Sequence, residues 1–143
     1  MPLKGSYCLS IIIDSRIKAQ IGSLGSVTFE PGEYIYVGSA MNGIEPRVRR
    51  HLNTSEKRFR AIHWHIDYLL KEQGVHVKAA HAYISDERLE CKIAKSLSVK
   101  FSAFRGFGSS DCRCKGHLFK IQGNWNPLEL SYLAKQLIPL DYP

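Results

Sequence analysis

The sequence predicts an α+β fold, in which a layer of β-sheet packs against helices. Three observations predict it. Alternating apolar residues, typical of strands, recur along the chain, and segments with an apolar stripe at helical spacing lie between the later strands. Gly, Pro and Asp-Ser signals separate the two kinds of segment. The chain has 143 residues, the length of one domain, so we expect 1–143 to form a single unit.

Strands are expected at five places in the chain. The segment Gly5–Ile13 alternates small and apolar residues and ends in three isoleucines, a composition that favours a strand. The turn signal Asp14-Ser15 then joins it to a second alternating segment, which predicts a hairpin. The remaining predicted strands, after the second at 17–21, cover 33–38, 75–84 and 117–121.

Helices are expected between and after these strands. Pro46 suits a first helical turn, and Val48 and Leu52 are four residues apart, so they share one face. Asn126 followed by Pro127 is typical of a helix start. The predicted helices cover 46–53, 64–71, a segment that Ser85 caps, and about 127–137.

Charge gives the first indication of a partner. The net charge is +7 and the isoelectric point is near 9.3. Such an excess favours polyanions such as nucleic acids, although from charge alone a merely soluble basic protein is an equal alternative. No apolar run approaches the ~18 residues of a membrane span, and the start lacks the features of a signal peptide. We therefore expect a soluble cytoplasmic protein that does not bind membranes.

Short motifs in this chain resemble a known family. The motifs Gly5-Ser6-Tyr7 and Tyr36-Val37-Gly38, followed by Arg47 and His51 on a helix, resemble the GIY-YIG nuclease module. The chain is most similar to the Uri-type subfamily of uncharacterised GIY-YIG endonucleases, and the resemblance implies a small central, mostly antiparallel sheet flanked by helices. The stretches that carry this closer similarity are 32–40, 50–52, 64–70, 90–91 and 107–114 running into 117–119.

The resemblance implies a function. It implies a divalent-metal-dependent endonuclease that hydrolyses DNA phosphodiester bonds and leaves 5′-phosphate and 3′-hydroxyl ends, in DNA repair or recombination. The implied cofactor is Mg²⁺ or Mn²⁺, and the implied partner is DNA of undefined strand state. Two alternatives stay open: a non-catalytic nucleic-acid-binding module of the same fold, and a zinc-stabilised interaction domain. A homo-oligomer also stays open, because a dimer would nick both strands more easily.

The resemblance also implies the candidate catalytic residues. Tyr7 maps to a tyrosine near the attacking water, and Tyr36 would help to position that water or Tyr7. Glu90 maps to the metal-binding glutamate, and one carboxylate with waters and substrate oxygens is a usual Mg²⁺ arrangement. Arg47 can clamp a phosphate in bidentate fashion. His51 could orient the tyrosine or carry a proton.

The densest positive stretch of the chain follows these motifs and predicts DNA contacts. The candidate DNA-binding residues are Arg47, Arg49, Arg50, Lys57, Arg58 and Arg60.

Two further groups of polar residues are accessory candidates. Many family members carry an asparagine after the metal glutamate, and here Ser110, Asp111 or His117 would have to replace it; Asp111 near Glu90 would add a metal ligand. A second polar cluster spans 63–67, where His63 and Asp67 are four residues apart and can pair. This cluster, which includes His65, could line the DNA groove or support Tyr7, but packing by its aromatic residues is the favoured interpretation.

The four cysteines allow several roles. Cys8 lies in an apolar run and is expected to be a buried small residue, and structural disulfides are not expected without a secretory signal. Together, Cys91, Cys112, Cys114 and His117 offer four ligands for Zn²⁺. Two facts argue against zinc: C-x-C is tighter than the usual spacing, and Cys91 directly follows Glu90. Buried thiols that pack the Gly- and Ser-rich loop are favoured instead, and its backbone N–H groups could equally bind phosphate.

Overall fold

The computed structural model describes residues 2–58, 62, 64–109 and 112–141, and its α+β architecture confirms the predicted fold class. The strands are β1 (Gly5–Ile13), β2 (Ile17–Gln20), β3 (Ser26–Phe29), β4 (Gly32–Ala40), β5 (Val75–Ile84), β6 (Leu118–Lys120) and β7 (Gln136–Leu140). The helices are α1 (Ile44–Ser55), α2 (His65–Leu70) and α3 (Glu90–Leu97), with short 3₁₀ segments at Gly22–Leu24 and Pro127–Leu133.

A five-stranded antiparallel sheet forms the centre, in the order β6-β4-β1-β5-β7. Strands β2 and β3 form a separate two-stranded ribbon. Both faces of the central strand β1 are covered, so its residues are almost all buried. Tyr7 and Leu9 face a core shared with α1 and α2, whereas Cys8 faces a core shared with α3. Because Leu9 pairs with Tyr36 on β4, the side chains of Tyr7 and Tyr36 project from the same face.

Helix α1 carries a polar residue on its buried side. Ile44, Val48 and His51 follow one another at helical spacing and are all fully buried. A histidine on a core-facing stripe needs hydrogen-bond partners inside the protein, because burial removes it from water. The longest of the helices in the described ranges has 12 residues, and none could cross a bilayer.

Helix α3 begins later than predicted. The Ser85 hydroxyl accepts a hydrogen bond from the Glu87 N–H at 3.1 Å, which makes a local turn instead of a helix cap. The Leu89 N–H then donates to the Ser6 hydroxyl on β1 at 2.9 Å, and the helix starts at Glu90. Glu90 therefore occupies the first turn, beside the end of the sheet where Tyr7 lies.

The predicted helix over about 127–137 is wrong. Asn126 does cap a segment, because its side chain accepts a hydrogen bond from the Leu128 N–H, but the segment is a 3₁₀ helix that ends at Leu133. The chain then forms β7, which pairs with β5 and buries part of Ile138 and Leu140 against the first core. Without β7, strand β5 would present an open edge, and a pairing partner from the chain's own end removes it.

Candidate active site

Three buried side chains form a continuous hydrogen-bonded chain. The Tyr7 hydroxyl lies 2.8 Å from Nε2 of His51, and Nδ1 of His51 lies 2.8 Å from Oδ1 of Asp67. None of the three is more than 1% exposed. An ionised carboxylate only accepts, so Nδ1 carries the proton and donates to Asp67; Nε2 is then the acceptor for the Tyr7 O–H.

This chain joins three separate elements: Tyr7 on β1, His51 on α1 and Asp67 in the first turn of α2. Oδ2 of Asp67 is buried and has no hydrogen-bond partner within the described part of the chain. A buried carboxylate oxygen without a partner is costly for folding. Packing alone therefore gives a poor account of Asp67, and a chemical role gives a better one.

Tyr7 borders an open pocket that contains the other candidate catalytic side chains. Tyr36, Arg47 and Glu90 line the same pocket, whereas His51 lies behind Tyr7 and out of solvent. Four of the five candidate catalytic residues thus meet at one surface, and the fifth reaches it through the Tyr7 hydroxyl. The geometry resembles a base that a partner activates from behind.

Arg47 is held in place from three sides. Its Nη1 donates to the Ser39 carbonyl at 3.1 Å, and its guanidinium carbon lies 4.2 Å from the centroid of the Trp64 ring. The same guanidinium hydrogen-bonds Tyr7. A cation stacked on an aromatic face and fixed by a carbonyl has little freedom left, so it is pre-organised to receive an anion.

Burial sets the protonation state of the two tyrosines. Burial raises the pKa of Tyr7 well above its ordinary value, and the charge and hydrogen bond of Arg47 only partly oppose this. Burial, with the neighbouring Tyr7 and Glu90, also raises the pKa of Tyr36 well above its ordinary value. Both residues are neutral phenols at physiological pH. Tyr7 can take a proton only if it gives its own proton to His51.

Ser6 fixes the position of Glu90. Its buried hydroxyl accepts from the Leu89 N–H and lies 2.7 Å from the Ser39 hydroxyl, so one side chain ties β1 to β4 and to the start of α3. Ser6 stands where the GIY-YIG motif has isoleucine, and this bond is available only to a hydroxyl. The Glu90 carboxylate enters the pocket beside Asn42, an oxygen donor set that suits Mg²⁺ or Mn²⁺ with waters and phosphate oxygens.

Gly38 makes room for the Tyr7 ring. The two residues are paired on β4 and β1, and a Cβ at position 38 would lie 2.6 Å from both Cζ and the hydroxyl oxygen of Tyr7. Any side chain there would push the ring away from His51. The glycine that ends the Tyr36-Val37-Gly38 motif therefore has a packing reason that concerns the site directly.

Comparison with known families accounts for nearly the whole chain. The family described as the domain of unknown function DUF123 matches residues 6–138. The chain belongs to the DUF123 family. The match includes every member of the Tyr7–His51–Asp67 chain, together with Arg47 and Glu90. No curated protein and no solved structure matches the chain.

The accessory candidates of this DUF123 chain separate in space. His65 lines the pocket, but its Nδ1 accepts a hydrogen bond from the Gly108 N–H at 2.9 Å. His117 instead points toward Cys112, with 3.5 Å between Nε2 and Sγ. Asn42 brings to the pocket an amide of the kind that the sequence lacks after Glu90. The candidates Ser110 and Asp111, and the residue His63 predicted to pair with Asp67, lie outside the described residues.

The candidate DNA-binding residues have different surroundings. Lys57 directs its ammonium inward, where it donates to the backbone carbonyls of Leu70, Glu72 and Val75, so it caps neighbouring elements and is not placed for phosphate contact. Arg58 forms an ion pair with Glu56. Arg49 and Arg50 lie on the exposed side of α1, with the Arg50 guanidinium 4.8 Å from the Trp64 ring centroid. Arg60 lies outside the described residues.

Sequence reasoning missed two residues of this site. Asp67 was expected to pair with His63 on its own helix, yet it bonds His51 from α1, which only the packing of α1 on α2 can arrange. The available signal was His51 itself, a histidine on the buried stripe of α1 that required partners. Arg88 also lines the pocket and precedes α3, where no motif indicated it.

A second group of side chains gathers on the other side of the sheet. Cys91, Cys112, Cys114 and His117 each offer one ligand atom, and these four atoms all lie within 4.8 Å of one another. The group could hold a metal ion. Cys8 is buried elsewhere, in the core beneath α3, as its apolar surroundings predicted.

Proposed function

We propose that this DUF123 protein is a divalent-metal-dependent endonuclease that hydrolyses DNA phosphodiester bonds and leaves 5′-phosphate and 3′-hydroxyl ends. The observation that carries the proposal is the Tyr7–His51–Asp67 hydrogen-bonded chain, which ends at a pocket that also contains Arg47 and Glu90. In-line hydrolysis needs a proton acceptor for water, a clamp on the phosphoryl oxygens and a site for a cation. All three types of group are present in this pocket.

The buried chain supplies the proton acceptor. As a water attacks phosphorus, the Tyr7 oxygen takes a proton from that water and passes its own proton to Nε2 of His51. The resulting imidazolium donates to Asp67, whose carboxylate stabilises the positive charge in a site without water. This route explains how a phenol whose pKa burial raises can act as a base, because free phenolate is never formed.

Arg47 and Glu90 deal with the negative charge of the reaction. The Arg47 guanidinium, already fixed by Ser39 and Trp64, binds the phosphoryl oxygens without reorganisation. Glu90, with Asn42 nearby in the pocket, holds Mg²⁺ or Mn²⁺ together with waters and substrate oxygens. The bound cation supplies stabilisation of the departing 3′ oxygen. Tyr36 lies beside Tyr7 and keeps its ring in place, with 6.4 Å between ring centroids.

DNA is the substrate that the charge favours. The net charge of +7 attracts a polyanion, and Arg49 and Arg50 extend the positive surface of α1 away from Arg47. We expect phosphate contacts to dominate, and therefore weak sequence preference and a role in DNA repair or recombination.

The test is a cleavage assay on supercoiled, single-stranded and branched DNA with Mg²⁺ or Mn²⁺. Wild type is compared with Tyr7→Phe and Glu90→Gln, which preserve shape, and with Glu129→Gln, a carboxylate whose ion pair with Lys100 lies on the surface. Metal-dependent cutting by wild type and Glu129→Gln alone supports the proposal. Cutting that survives Tyr7→Phe and Glu90→Gln would mean that the site is wrong. Salt-sensitive binding without cutting would favour the non-catalytic nucleic-acid-binding module.

A further inference from the structure

We propose that Cys91, Cys112, Cys114 and His117 form a structural zinc site that ties the start of α3 to the loop before β6. The site is independent of nuclease activity, since none of the four residues lines the pocket around Tyr7. Three features support it: the distances among the ligand atoms, the elements that carry them and the chemistry of the donor set.

The distances are close to those of a metal tetrahedron. With Zn–S near 2.3 Å and Zn–N near 2.0–2.1 Å, a tetrahedral site has S···N edges of about 3.6 Å and S···S edges of about 3.8 Å. Nε2 of His117 and Sγ of Cys112 are 3.5 Å apart, which already matches an S···N edge. No two of the four ligand atoms are more than 4.8 Å apart, so contraction by about 1 Å would complete the site.

Two of the ligands are carried by rigid parts of the fold. His117 is buried, its N–H donates to the Phe107 carbonyl at 2.7 Å, and its carbonyl accepts from the Val37 N–H at 2.9 Å. Cys91 lies in the first turn of α3, whose start Ser6 holds against β1. The two loop cysteines close on this pair, as in sites where a fixed scaffold presents part of the ligand set.

Zinc binding is compatible with both sequence features that weighed against it. The tight C-x-C spacing would matter if one short loop supplied every ligand, but here the other two come from α3 and from the residue before β6. Adjacent residues in a helix point about 100° apart. Accordingly, Glu90 lines the pocket around Tyr7, whereas Cys91 lines a different pocket together with Cys114. That second pocket also gives a metal ion a path from solvent.

The donor set selects the metal. Three thiolates and one imidazole are soft and borderline ligands, which favour Zn²⁺ over Mg²⁺ or Mn²⁺. Four protein ligands leave no open position, so the site would be structural and not catalytic. The oxygen ligands around Glu90 favour the opposite class of cation. The chain therefore keeps two sites of different chemistry on adjacent residues, 90 and 91.

Zinc would stabilise a loop that has little regular structure. Between Phe104 and His117 the described backbone forms turns, with one cross-loop bond from the Gly106 N–H to the Lys115 carbonyl at 2.6 Å. A metal bound at Cys112 and Cys114 would replace the missing ladder of hydrogen bonds, because the binding free energy of a structural metal is also folding free energy.

The experiment uses the full chain, purified under reducing conditions without chelator. Zinc is measured by elemental analysis, and the metal is then exchanged for Co²⁺, whose visible absorption distinguishes tetrahedral thiolate coordination. We expect about one metal ion per chain in wild type. In Cys112→Ser and Cys114→Ser, Co²⁺ affinity should fall by more than the ~10–100-fold that loss of an outer partner costs. The matched control is Cys8→Ala, a buried cysteine outside the group, which should bind as wild type does.

The outcomes separate the proposal from its rivals. Cobalt binding without thiolate absorption, or the same absorption in Cys112→Ser as in wild type, would overturn it. So would a disulfide among these cysteines that forms in the presence of stoichiometric zinc. If the serine variants fail to fold, treating folded wild type with a chelator decides the matter. Release of zinc with new proteolytic cleavage between residues 104 and 117 supports the site, and a metal-free chain with an unchanged digest opposes it.

Discussion

The pocket around Tyr7 and the group around Cys112 assemble their residues in opposite ways. In the first, β1, α1 and α2 pack around a buried core, and packing brings Tyr7, His51 and Asp67 within hydrogen-bond distance without any ligand. In the second, two cysteines of an irregular loop approach α3 and His117, and a few ångströms separate the ligand atoms. Regular elements can therefore pre-organise a site by themselves, whereas a short loop needs a bound ion to complete one.

The strongest test of the first region removes the hydroxyl that ends its chain. Tyr7→Phe should lower DNA cleavage by ~10²–10⁴-fold, the usual contribution of a general base, while the fold persists because the ring still fills its site. The measurement is kcat on a supercoiled plasmid, with far-ultraviolet circular dichroism as the check on folding. Tyr132→Phe is the matched control, because that tyrosine is 73% exposed and far less buried than Tyr7. Equal losses in both variants would contradict the assignment of Tyr7.

A smaller effect is expected when the ring is displaced instead of changed. In Gly38→Ala, the new methyl group would meet the Tyr7 hydroxyl region at 2.6 Å and separate it from His51. Misplacement by about 1 Å can cost ~10²-fold in rate, and overpacking costs about 1–3 kcal/mol of stability. Cleavage rate and the free energy of unfolding are measured together. Gly123→Ala is the control: it meets no atom within 4 Å, so its φ of +85° should cost stability but leave cleavage unchanged.

Asp67 tests whether the buried chain acts as a unit. Asp67→Asn keeps an oxygen acceptor for Nδ1 of His51 but removes the charge that stabilises the imidazolium, so we expect kcat to fall on the order of 10–10²-fold. KM should be nearly unchanged, because Asp67 is fully buried behind the pocket. A changed shape of the pH–rate profile would identify a positioning role. A loss confined to KM, or to stability alone, would argue against it.

Metal removal should affect the second region and spare the first. If zinc binds the cysteine group, free zinc at 100 times its Kd adds about 2.7 kcal/mol, and chelation should lower Tm by about 5–10 °C. Hydrogen exchange should rise between residues 104 and 117 and stay low in β1 and α1. Exchange that rises equally in β1 would show that the two regions do not separate as proposed.

The smallest effect concerns the contact between the pocket wall and the loop. Burial lowers the pKa of His65, whose neutral Nδ1 accepts the Gly108 N–H. As pH falls below the unfolded value of ~6.5, the unfolded chain binds this proton first, so stability decreases until the lower folded pKa is passed. Urea denaturation at several pH values measures this decrease. His65→Gln keeps an acceptor without the titration and should show a shallower decrease; an identical slope would contradict the role of His65.

Local pattern predicted the strands and the first helix but not the end of the chain. The alternation in Gly5–Ile13 and Val75–Ile84 predicted β1 and β5, because each strand carries its own period. The cap at Asn126 correctly marked the start of a helical turn. The segment Gln136–Leu140 became β7 because β5 offered an open edge, and a neighbour's edge leaves no mark on the sequence of the strand that covers it.

The sequence by itself determined the α+β class, the motif residues Tyr7 and Tyr36, and the charge that favours a polyanion, since these depend on composition and local spacing. Only the tertiary structure brought Asp67 to His51, Ser6 to Leu89, and Cys91 to the loop cysteines. The physical reason is that hydrogen bonds and metal coordination are short and directional. They form between residues far apart in the chain only after packing has fixed the distances, which no local pattern encodes.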